Sequence, residues 1–212
     1  MHQISGWSQF FDRKFFNLFD RSLILKELIM QIRYLVEPPA NILEIGCGSG
    51  LTSILLASIG YKITAIDINS ELVQKLQQFT TVFSNLNIHQ IDMFKTGFVN
   101  NTFDLVFSQG VLEHYSDKEI AISLVEQKRV ANIVVIDVPN ARGKIGDYGD
   151  ERVITAKHWR QIIRSVELEI VFESSRGMSR WSQDHPRLLG WIEESWISHR
   201  FGENSIFVCK EA

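Results

Sequence analysis

The chain has 212 residues, 45% of them hydrophobic, which suffices for one buried core of ordinary size and leaves no room for a second full domain. A net charge of −3 offers no general attraction to a phosphate backbone, so nucleic acid is disfavoured as a partner unless a local basic patch recruits it. Two cysteines, Cys47 and Cys209, cannot build a disulfide framework and point to a reducing, cytoplasmic setting.

The first segment, from Phe10 to Phe19, is rich in phenylalanine, but Asp12, Arg13, Lys14 and Asp20 interrupt it, which excludes a spanning helix or signal peptide. Core or lid packing is the plain reading of this cluster, and a membrane-surface or dimer contact is the alternative. From Ser22 to Val36 the spacing of Leu25, Leu28, Ile29, Ile32 and Leu35 predicts an amphipathic helix, ended by Pro38-Pro39. Next comes Ile42-Leu43-Glu44-Ile45-Gly46-Cys47-Gly48-Ser49-Gly50, an apolar run turning through three alternating glycines. Such a turn lets ligand atoms approach main-chain N–H groups. A helix follows over 49–59, closed by Gly60, and then a second strand over 61–69 that ends near Asp67. Ile88 to Met93 is a third apolar segment, ending at Asp92, and Phe103 to Gln109 a fourth, leading into Gly110-Val111-Leu112-Glu113-His114.

Beyond these, Val130 to Pro139 reads as a strand buried on both faces, and 167–174 and 205–210 as the last two strands. Predicted helices at 70–79, 117–128 and 155–165 alternate with the strands, the rhythm of a doubly wound, mostly parallel α/β sheet with helices on both faces. No internal repeat or low-complexity linker breaks the pattern, so 1–212 is expected to form one domain. Within it, 1–37 is an N-terminal helical lid, 38–140 a cofactor-binding half and 141–212 an acceptor-side half.

The glycine spacing separates two cofactor classes, because a dinucleotide fingerprint would place its third glycine at the position of Leu51. The G-x-G-x-G form led by Glu44, followed in order by Asp67, Asp92 and the Phe103–His114 stretch, resembles the class I S-adenosylmethionine-dependent methyltransferases over roughly residues 40–140. The resemblance implies seven strands with the last antiparallel and inserted beside its predecessor. It implies S-adenosylmethionine as cofactor, contacted by Glu44, Gly46, Cys47, Gly48, Gly50 and Leu51 in the loop and by Asp67 and Ile68 at the ribose. Asp92 would then accept from the adenine amino group with Met93 against the ring, while Gln109 and Gly110 would flank the methionine and sulfonium portion.

The acceptor side is less marked. His114 is the candidate general base, since a neutral imidazole can remove an acceptor proton; a structural Glu-His pair is the competing reading. His158 is read as capping or packing rather than catalysis. Phe11, Phe15, His114, Tyr115 and Tyr148 are the candidate acceptor contacts, with the glycine-rich loop 140–152 and the aromatic and arginine-bearing region 176–201 around them. No metal is expected, for want of ligand spacing, and the Asn/Asp-Pro-Pro-Tyr/Phe signature of amino-group methyltransferases is missing after the fourth strand. The expected reaction is in-line methyl transfer to a small molecule. A non-methylating use of the same cofactor, or an inactive cofactor-binding regulatory subunit, would carry identical cofactor motifs. Acceptor identity, methylated atom and oligomeric state are not encoded in any motif.

Overall fold

The computed structural model describes residues 18–140, 151–176 and 204–212, with backbone only for 18–24 and Arg176. Helix α1 (Leu18–Leu35) begins four residues before the predicted start and buries Leu25, Leu28 and Ile32, the stripe that the 3.6-residue period marks. It leads to β1 (Asn41–Ile45), α2 (Leu51–Ser58), β2 (Lys62–Asp67), α3 (Ser70–Thr80), β3 (Leu86–Gln90) and β4 (Leu105–Gln109). A short 3₁₀ turn, Leu112–His114, precedes α4 (Asp117–Val130), β5 (Ile133–Pro139), α5 (Ala156–Ser165), β6 (Leu168–Arg176) and β7 (Asn204–Glu211).

The seven strands form one sheet in the order β3-β2-β1-β4-β5-β7-β6. The first five are parallel, and β7 runs antiparallel between β5 and β6, where the resemblance places it. Strand alternation splits the core into two layers. Ile42, Ile63, Ala65, Leu105, Phe107 and Val135 face Leu28 and Ile32 of α1, Leu56 of α2 and Leu76 of α3. Leu43, Ile45, Val106, Val134 and Ile136 face Leu124 of α4 and Trp159 and Ile163 of α5. No described helix is long and apolar enough to cross a membrane.

Helix starts decide what is left for a ligand. Asn69 caps α3 through its side chain, Ser116 and Glu119 form a capping box on α4, and Thr155 caps α5. Helix α2 starts instead on Gly50, in the left-handed region at φ 66°, which has no side chain to offer. Its leading N–H groups are thus left to backbone or ligand.

On the opposite flank, a charged knot fixes the chain between β3 and β4. Glu126 Oε1 accepts from Thr96 N at 2.8 Å and Thr96 Oγ1 at 2.7 Å, and Arg129 clamps the same carboxylate. Arg129 also donates to Phe98 O at 2.7 Å and Asn100 Oδ1 at 2.8 Å. These donors, Arg129 first, hold the Glu126 pKa down at about 2, below its ordinary 4.5. A depressed carboxylate stabilises the fold above the unfolded-state value and loses that contribution as pH falls through the folded one. Glu126→Gln should therefore flatten the decline of unfolding free energy between about pH 4.5 and 2, measured by urea denaturation across that range.

Candidate active site

In an open parallel sheet the ligand crevice lies beyond the carboxyl ends of the strands, beside the point where strand order reverses. Here that point falls between β1 and β4, and the glycine loop after β1 stands over it. Gly46, Gly48 and Gly50 all adopt positive φ, at 65°, 52° and 66°. Two of the three are also required by the protein's own packing. A β-carbon at Gly46 would lie 2.5 Å from Val111 Cγ2, in the chain following β4, and one at Gly50 would lie 2.9 Å from both δ-methyls of Leu76 on α3. The sequence assigns all three glycines to ligand approach, and at Gly46 and Gly50 the close neighbour is a side chain of the protein itself.

Asp67, the last residue of β2, ties the loop down. Its Oδ2 accepts the Gly48 N–H at 2.9 Å and its Oδ1 the Asn69 N–H at 2.9 Å. Burial raises the Asp67 pKa, and the backbone donors at Asn69 and Gly48 oppose that rise. A carboxylate offers more lone pairs than these two bonds use, and two vicinal hydroxyls would draw on that remaining capacity. Ile68 next to it is 62% exposed, an apolar surface at the mouth of the crevice.

The remaining loop residues lie deeper. Glu44 is buried under the loop, where its Oε2 accepts from Ser53 Oγ and joins β1 to α2. Desolvation pushes its pKa up to about 8, from an ordinary 4.5. Cys47 and Leu51 are buried as well, and desolvation raises the Cys47 thiol well above its ordinary value. Met93, expected against the adenine ring, belongs to the core layer with Leu43, Ile45 and Ile66 at 7% exposure, and Ile68 after β2 is exposed. Asp92 accepts the Phe94 N–H at 2.9 Å in its own turn.

On the far side of the crevice, Gln109 is held between two elements, with Thr52 Oγ1 donating to its Oε1 at 3.0 Å and its Nε2 donating to Asp137 at 3.1 Å. Gly110 has φ 64° and Glu113 Oε1 lies 3.6 Å from its β-carbon position. His114 closes the 3₁₀ turn, and Tyr115 meets Phe94 edge to face at a centroid distance of 5.3 Å. Arg152 fastens this turn to the chain preceding α5, through its N–H on Glu113 O at 3.0 Å and its guanidinium on Tyr115 O and on Asp117 at 2.6 Å. His158 Nε2 lies 2.7 Å from the other Asp117 oxygen, a pairing that sequence spacing does not reveal. Phe11, Phe15, Tyr148 and the region 177–203 lie outside the described residues.

Among the described residues no group of three or more His, Cys, Asp and Glu side chains converges as a metal site requires. Acidic residues lie near the carboxyl ends of the first five strands: Glu44 and Asp137 within β1 and β5, Asp67 closing β2, and Asp92 and Glu113 in the turns after β3 and β4. No Lys or Arg occurs in 44–51, 67–70, 108–116 or 136–140. A pyrophosphate would meet like charge there, whereas a sulfonium carrying an ammonium group meets opposite charge.

Comparison with known proteins agrees. Residues 43–132 match the family described as Methyltransferase domain. The eEF1A lysine and N-terminal methyltransferase of Danio rerio is 26% identical over 115 residues, 53% of this chain and 17% of that protein. The 2-methyl-6-phytyl-1,4-hydroquinone methyltransferase of a Synechocystis species is 26% identical over 128 residues, 59% of this chain and 38% of that protein. The chain thus spans less than half the length of these curated relatives. Among solved structures, the [4+2]-cyclase SpnF superposes with a TM-score of 0.67 at 16% identity, covering 87% of this chain and 80% of its own, a likeness of fold. The match over residues 43–132 and these relatives support a class I S-adenosylmethionine-dependent methyltransferase, and the glycine loop and Asp67 fit that cofactor.

Two measurements bear on the loop. Gly46→Ala should destabilise the protein by roughly 2–4 kcal/mol, from left-handed strain plus overpacking, and adding Val111→Ala should recover the packing part in chemical denaturation. Glu44 has a folded pKa above its unfolded one, so its contribution to stability falls as pH rises from about 4.5 toward 8. Glu44→Gln, which mimics the protonated form, should gain on the unsubstituted protein between about pH 5 and 9 when unfolding free energies are compared.

Proposed function

We propose that this protein transfers the methyl group of S-adenosylmethionine to a small-molecule acceptor, in a reducing cytoplasmic compartment, with the whole chain acting as one domain. The observation that carries the reading is the Asp67 carboxylate, held by the Gly48 and Asn69 N–H groups at the end of β2, to which we assign the two ribose hydroxyls. The uncapped start of α2, exposed Ile68 and the row of strand-end acids support the same cofactor.

Bound S-adenosylmethionine supplies a methyl group already activated by its sulfonium. The protein then has to hold an acceptor in line with the S–CH3 bond and keep water away. Gly110 presents no side chain just after β4, and His114 and Tyr115 in the following turn are the groups assigned to acceptor contact. His114 is the proposed base for an acceptor that must lose a proton. The hydroquinone named in the Synechocystis relative supports a small acceptor; the protein substrate named in the Danio rerio relative defines the competing class.

Asp67→Ala should weaken binding of S-adenosylhomocysteine by about 1.5–3 kcal/mol in calorimetry, the range for hydrogen bonds to a charged partner. A folded variant with unchanged affinity removes Asp67 from the site. Activity is tested by following S-adenosylhomocysteine release over an acceptor panel of phenols, amines, thiols and short peptides. Tight cofactor binding with no release on any acceptor would favour a non-methylating or regulatory role.

A further inference from the structure

We propose that Asp137 is a positioning residue for the methionine end of the cofactor, acting through the carboxamide of Gln109. This rests on the methyltransferase reading above and extends it to a residue that no motif marks. Asp137 is fully buried near the carboxyl end of β5 and is the register partner of Gln109 on β4. Gln109 Nε2 donates to Asp137 Oδ2 at 3.1 Å, while Thr52 Oγ1, on the first turn of α2, donates to Gln109 Oε1 at 3.0 Å. Asn204 Nδ2, at the start of β7, lies 3.5 Å from Asp137 Oδ1, and Gly110 N donates to the Asp137 carbonyl at 2.9 Å.

The chemistry of the partners dictates the direction of the amide. An ionised carboxylate only accepts, so it selects the Nε2 end of Gln109, and Oε1 is then turned to the Thr52 hydroxyl beside the glycine loop. Gln109 is half-buried and its Nε2 carries two hydrogens, of which Asp137 takes one. The other is a donor at the end of β4, suited to the carboxylate of the cofactor's amino-acid portion. Were the amide to turn over, the same position would present an oxygen to that carboxylate and repel it. Asp137 thus sets the sign of the dipole that the ligand meets, without touching the ligand.

The test measures S-adenosylhomocysteine binding by calorimetry for the unsubstituted protein, Asp137→Asn, Gln109→Leu and the double variant. The carboxamide introduced by Asp137→Asn can present either a donor or an acceptor, so it frees the Gln109 amide to turn while preserving shape. Asp137→Asn is expected to weaken binding about tenfold or more, the scale of one charge-assisted hydrogen bond. The double variant should bind within about twofold of Gln109→Leu alone, since the relay is already cut. Binding of methylthioadenosine, which lacks the amino-acid portion, should be unchanged by Asp137→Asn. Losses that multiply in the double variant, equal losses for both ligands, or an unaffected Asp137→Asn would each overturn the relay. If Asp137→Asn does not fold, Thr52→Val breaks the other end of the same amide and carries the same comparison. Failure of the unsubstituted protein to bind S-adenosylhomocysteine overturns the cofactor reading itself, and the relay with it.

Discussion

The hydrogen bond from Gly48 N to Asp67 is the interaction on which the rest of the crevice depends. It joins the loop after β1 to the end of β2, so the two neighbouring strands and the start of α2 are fixed relative to one another by one carboxylate. The left-handed glycines on either side are packed against the protein, with Val111 in the space above Gly46 and Leu76 in the space above Gly50. The loop is therefore locked from three sides by β2, α3 and the chain after β4. A ligand that takes hydrogen bonds from this loop meets a surface already organised, and little of its binding energy goes into ordering backbone.

Much of this was legible in the sequence because it follows from short-range rules. Continuous apolar runs marked the buried strands, the 3.6-residue stripe marked α1 from Leu25 to Ile32, and the glycine run after Ile45 marked the turn. Asp67 was marked by its distance from the first glycine. What spacing could not reveal were contacts between residues far apart in sequence. The Thr52–Gln109–Asp137–Asn204 line draws on α2, β4, β5 and β7, and each member reads alone as an ordinary polar residue at an element boundary. Asp117, read as the start of a helix, proved to bridge Arg152 and His158 for the same reason.

Met93 illustrates a different limit. Its place in the motif puts it beside Asp92, but side-chain direction follows the local backbone, and after β3 that direction leads into the layer with Leu43, Ile45 and Ile66. Ile68, one residue beyond the ribose-side acid, is carried outward instead. A motif marks which segment reaches the crevice, and the local backbone sets how deeply each of its side chains lies. The same holds for Glu44, which stands in the motif yet serves from beneath the loop through Ser53.

Charge completes what shape begins. Many ligands fit a glycine loop at a strand end, and the positive end of a helix favours anions there. Yet each of the first five strands of this sheet has a carboxylate within about four residues of its carboxyl end, with no Lys or Arg in the turns at β1, β2, β4 and β5. Those carboxylates are not equivalent. Glu44 is pushed toward neutrality by burial, Asp67 is moderated by two N–H donors, and Asp137 is enclosed among amide donors from Gln109 and Asn204. Burial raises both Glu44 and Asp67, and hydrogen bonds from Ser53 to the first and from the loop N–H groups to the second oppose that rise. A ligand with a sulfonium and an ammonium group meets acidic side chains here where a pyrophosphate would meet like charge, so the acid-rich strand ends agree with the glycine spacing.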